Sequence, residues 1–171
     1  MSIIDIKKDE YIGMVGMAKL DNWDCDSKVA FSEGRLEYAE KCVKYIQEMD
    51  SAMMKRLLKY AHRYYKDMVN ELGDEFSEIM DMDDDVSEDN IINYICPSMI
   101  IIEDNCREDR IEFHVECGCD WEPEHGLEFT ISDNKILYVG EFDDMPPYNE
   151  GRLKYVGFYS EDNNMNYADK E

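Results

Sequence analysis

Basic charge is scarce in this chain. Its 18 Lys and Arg stand against 41 Asp and Glu over 171 residues, a formal net charge of −23. Such a chain repels nucleic acid and anionic membrane surfaces, and it attracts a basic partner from a distance. Long apolar runs are missing as well. The longest candidate, Met99-Ile-Ile-Ile, stops at Glu103, far short of the ~18 residues that a spanning helix needs. Met1 to Asp9 holds no apolar core of the length of a secretory signal, which predicts a cytoplasmic protein whose six cysteines stay reduced. No Gly-x-Ser-x-Gly, Walker A or His-Glu-x-x-His segment occurs. A nucleophile elbow, a phosphate cradle and a zincin helix are thereby excluded. There is no internal repeat and no flexible linker, so residues 1–159 read as a single domain and residues 160–171 as a frayed polar tail.

What is present is periodicity. Tyr11 to Leu20 reads as a strand, Asp21-Asn22-Trp23-Asp24 as a turn and Lys28 to Ser32 as the return strand of a hairpin. Residues 34–49 carry Leu36, Ala39, Val43 and Ile46 on one stripe and Tyr38, Cys42, Tyr45 and Met49 beside it, the spacing of a helix with Ser32 as its cap. Asp50-Ser51 breaks that helix and caps a second one, whose apolar stripe runs from Met54 to Leu72 and ends at Gly73. Its outer side holds Lys55, Arg56, Lys59, Arg63 and Lys66. Residues 74–89 answer with nine acids, expected to drape over the basic side as a solvated loop. Asp81, Asp83 and Asp85 sit like the first ligands of a calcium loop. Val86 replaces the required Gly and Ile92 the bidentate Glu, which excludes that site.

A short helix is predicted from Asn90 to Cys96, then Pro97 and an apolar strand from Met99 to Ile102. A meander follows. Ile111, Phe113, Val115, Cys117 and Cys119 share one face of its first strand; Glu112, His114 and Glu116 share the open face. Leu127, Phe129 and Ile131 face inward on the next strand, Ile136 to Gly140 forms a third, and Leu153 to Tyr159 adds one more. The whole predicts an α+β domain: an antiparallel sheet, made of the N-terminal hairpin and the C-terminal meander, with two long helices packed on one face.

Between two of these strands lies Asp120-Trp-Glu-Pro-Glu-His-Gly-Leu127, which concentrates unusual residues in one connection. Pro123 removes a backbone donor and Gly126 permits positive φ, so the loop has a fixed shape. Trp121, Glu122, Glu124 and His125 are the candidate binding residues. Cys117-Gly-Cys119 with His125 lacks the Cys-x2-Cys spacing of a zinc knuckle, and the alternation makes both cysteines core thiols. No metal, no cofactor and no catalytic residue is therefore assigned. His114 between Glu112 and Glu116 needs no role beyond a polar sheet face.

Trp121, Glu124, His125, Gly126 and Leu127, followed by an alternating strand, a turn and Ile136-Leu-Tyr-Val-Gly140, resemble a group of small acidic bacterial proteins with a Trp-Asp-x-Glu-His-Gly-Leu-Gly segment. The resemblance is close over residues 117–140 and loose over 23–140. This chain departs from it at Glu122 and Glu128. The group looks like immunity-type proteins of bacterial toxin systems. The resemblance implies a binding protein that neutralises a basic toxin, with no enzymatic activity. The alternative class is a small enzyme or metal-dependent protein in which Glu122, Glu124 and His125 serve acid–base chemistry.

Overall fold

A helical crossover sets the topology. Strand β3 (Cys25–Phe31) and strand β4 (Ile95–Ile102) are separated by helix α1 (Leu36–Gln47), helix α2 (Ser51–Leu72) and the short helix α3 (Phe76–Met80). After that excursion the chain returns parallel to where it left, with Lys28 opposite Met99 and Phe31 opposite Ile102. Parallel neighbours require such a crossover. The remaining strands are β1 (Ile4–Asp9), β2 (Gly13–Leu20), β5 (Glu112–Cys119), β6 (Leu127–Ser132) and β7 (Lys135–Gly140). The computed structural model describes residues 2–147, 156–160 and 165–170. Its seven strands form one sheet in chain order, antiparallel except at β3–β4. The protein is thus α+β, with a mixed sheet in place of the antiparallel one expected. Alternation reports which face a residue takes; it is silent on strand direction.

The local signals of α2 are used as read. The Asp50 carboxylate accepts the N–H groups of Ala52 and Met53 at 2.9 Å each, the work of an N-cap. Gly73 closes the helix at φ 56°. Helix α1 differs: Arg35 stands at its N-cap with no side-chain cap. Ser32 contributes only its carbonyl, to the Arg35 N–H at 3.0 Å, because its hydroxyl is turned to Asp104. Both helices join the sheet in one core: Ile46, Leu57 and Tyr65 belong to the same buried cluster as Phe113, Val115, Phe129 and Ile131. Burying such side chains contributes ~1.5–3 kcal/mol each.

Four further expectations change. The predicted helix from Asn90 to Cys96 is a single 3-10 turn, Ile91–Tyr94, and β4 begins at Ile95 with Pro97 inside it. Proline is tolerated there because the β4–β5 register shifts between Pro97 and Met99. The polar face of β5 is not open: His114 is 0% exposed and Glu112 5%. The segment after β7 folds back across it, with the Asp143 and Met145 N–H groups donating to Glu128 at 3.0 and 2.8 Å. The tail is not frayed where it is described. Tyr167 and Ala168 are buried, and the Tyr167 N–H donates to the Val139 carbonyl at 2.8 Å. Arg63 holds Asp169 at 2.9 Å, so the basic side of α2 recruits the chain end. The predicted strand Leu153–Tyr159 lies partly outside the described residues; its described end, 156–159, is not a strand.

Candidate functional site

The connection Asp120–Gly126 is built around Glu122. Its carboxylate turns inward and accepts the N–H groups of His125 at 2.6 Å and Gly126 at 2.9 Å. Its other oxygen lies 3.2 Å from His125 Nδ1. That contact, with the charge behind it, raises the pKa of His125 above its ordinary 6.5. Gly126 sits at φ +73° against the Cys117 carbonyl, where any Cβ would collide. The loop is anchored by Trp121, wholly buried and edge-on to Tyr64 and Tyr65 of α2, with centroids 6.1 and 6.2 Å away. The candidate residues therefore separate. Trp121 and Glu122 shape the loop, whereas Glu124 and His125 are exposed. Cys117 and Cys119 are buried, and burial pushes both thiols up. Among the described residues, the groups able to converge on a metal are Glu122–Glu124–His125 and Glu103–His114–Asp144, neither with a cysteine.

Behind this loop opens a cleft of about 680 Å³ between the C-terminal half of α2, the end of β7 and the chain's C-terminal segment. Tyr64, Tyr138 and Tyr167 line it, with His125 at one side. Five carboxylates share the lining: Asp67, Glu71, Glu122, Glu141 and Asp143. Tyr64 and Tyr167 stack at 5.1 Å, and Tyr167 donates to Asp67 at 2.9 Å. Burial, first of all, pushes both phenols up, so they remain neutral. Among the described residues, no Lys or Arg lines this cleft.

Of the four residues singled out in sequence, Glu122 and His125 reach this cleft and Trp121 supports it from behind Tyr64. Tyr64 lies within the apolar stripe of α2, and Asp67 and Glu71 are not among the residues the sequence singles out. The signal was available: Tyr64, Asp67 and Glu71 recur at three- and four-residue steps, so acids follow a tyrosine along one line of α2. Tyr138, Glu141, Asp143 and Tyr167 carried no such signal, because only the return of the chain over the sheet assembles them.

Fold and cleft together define an acidic α+β protein on a seven-stranded mixed sheet, with a concave, anionic, tyrosine-lined surface and no helix among the described residues long and apolar enough to cross a membrane. Residues 6–146 match the family described as "Domain of unknown function (DUF6985)", and the chain belongs to that family. No curated protein and no solved structure matches the chain.

Proposed function

We propose that this is a non-enzymatic binding protein for a basic protein partner, with the cleft beside α2 taking one of the partner's cationic side chains. The cleft itself carries the reading: five carboxylates surround three tyrosines in a cavity of about 680 Å³. Carboxylates form charge-assisted bonds with guanidinium or ammonium groups, and tyrosine faces attract the same cations. The net charge of −23 would draw that partner in from a distance. The immunity-type resemblance names a candidate, a basic bacterial toxin neutralised in the cytoplasm, where six thiols stay reduced. In this reading the two long helices cover one face of the sheet and the segment after β7 covers part of the other. Among the described residues, the edge where α2 meets β7 is then a surface open to a partner.

The enzymatic alternative is weaker. Of its residues Glu122, Glu124 and His125, the Glu122 carboxylate is engaged by two backbone N–H groups of its own loop, and Glu124 and His125 stand exposed. A titration with an arginine-rich peptide, followed by amide NMR, tests the proposal. Shifts should concentrate at Tyr64, Glu71, His125 and Glu141. Shifts spread evenly over the acid run at 74–89 would overturn it.

A further inference from the structure

The polar face of β5 holds a cluster that the cleft does not use. His114 is wholly buried, and its Nδ1 meets Glu128 Oε1 at 2.5 Å. Glu128 is itself wholly buried and fixed by the Asp143 and Met145 N–H groups. The opposite ring nitrogen, Nε2, is buried with no hydrogen-bond partner among the described residues. It faces Glu103 Oε1 at 3.7 Å, too far for a hydrogen bond. Asp144 completes the group, and one ligand atom from each of Glu103, His114 and Asp144 lies within 4.8 Å of the others.

We infer that His114 Nε2, Glu103 and Asp144 form a binding site for a divalent transition-metal ion, with Glu128 orienting the imidazole from behind. A carboxylate on the far nitrogen of a histidine fixes its tautomer and leaves the near nitrogen's lone pair for a metal. One imidazole and two carboxylates suit manganese or zinc, with water filling the open positions. A buried nitrogen lone pair with no partner is costly, and a metal bond would satisfy it. Two of the three groups meet solvent: Glu103 is one-third exposed and Asp144 is exposed. The three ligands come from β5, the end of β4 and the segment after β7. An ion would therefore pin that segment to the sheet, and the same segment carries Glu141 and Asp143 of the anionic cleft.

The competing account of the same atoms has no metal: a protonated imidazole bonded to Glu128 and attracted by Glu103. The test uses Mn²⁺, because free thiols compete for zinc far more strongly. Metal-stripped protein is titrated with MnCl2, and bound ion is counted by electron paramagnetic resonance. One ion per chain should bind, with affinity falling tenfold or more in Glu103→Gln and in Asp144→Asn, and unchanged in His125→Ala. The first two substitutions keep shape and remove partly exposed or exposed carboxylates, so they leave folding intact where His114→Gln could fail. Binding of several weak ions insensitive to Glu103→Gln and Asp144→Asn would overturn the inference. So would loss of the ion in His125→Ala, which would move it to the Glu122–Glu124–His125 group, or no binding at millimolar metal.

Discussion

Trp121 stands edge-on to Tyr64, ring planes at 89° and centroids 6.1 Å apart. That contact links the loop recognisable in sequence to the cleft that is not. Tyr64 has Trp121 on one side and Tyr167 stacked at 5.1 Å on another, so the tyrosine wall rests on the buried indole.

Trp121→Ala should therefore cost about 3–5 kcal/mol, a fall in melting temperature of roughly 2–4 °C per kcal/mol. Trp121→Phe should cost distinctly less. It keeps an aromatic ring against Tyr64 and Tyr65 and removes an indole N–H that has no partner. Thermal unfolding of the two variants checks this; equal losses would mean that an aromatic ring edge-on to Tyr64 and Tyr65 contributes little.

Glu122 and His125 are bonded to each other yet should respond very unequally. Glu122→Ala strips the acceptor from two backbone N–H groups, at about 1–3 kcal/mol for donors left unmade. His125→Ala removes an exposed side chain and should stay within about 0.5 kcal/mol. Chemical denaturation of both variants reads the difference.

The Arg63–Asp169 ion pair should be lost in acid. The hydrogen bond from Arg63, helped by Lys59, lowers the pKa of Asp169 below its ordinary 3.8. Its contribution is then complete above pH 3.8 and is lost as the pH falls through the depressed value. NMR should show the Asp169 side chain releasing Arg63 over that acid range, and Asp169→Asn should cost less than about 1 kcal/mol at neutral pH, with Tyr167 still held by its backbone bond to Val139.

Salt should stabilise the isolated protein. A chain at −23 is opposed by its own repulsion, and a Debye length of ~8 Å at physiological ionic strength screens it. Melting temperature should rise with sodium chloride from low concentration; a flat or falling response would show that the charges are already balanced locally.

Much of the fold was legible because its rules are local. Asp50 and Gly73 punctuate α2 through side-chain and φ preferences that neighbours do not alter. Phe113, Val115, Phe129 and Ile131 alternate because their strands each have one buried face. What escaped depends on distant chain. β1 is an edge strand written mostly in charge, Ile-Asp-Ile-Lys-Lys-Asp, with only half the usual pattern to read. The parallel β3–β4 pairing follows from a crossover, not from either strand's residues. His114 looked solvent-facing because the cover over it, around Met145, lies on another segment. The site was half legible for the same reason: Trp121 to Gly126 is one loop, whereas the cleft needs α2, β7 and Tyr167 to meet.

The central claim is that binding is local to the cleft and not a property of the acidic surface at large. Two charge-matched double variants separate these: Glu71→Gln with Glu141→Gln in the cleft, and Asp83→Asn with Asp85→Asn in the exposed acid run. Affinity for an arginine-rich peptide, measured by calorimetry at physiological ionic strength, should fall tenfold or more in the first and change little in the second. Equal losses in both would contradict the account, because the peptide would then be responding only to total charge.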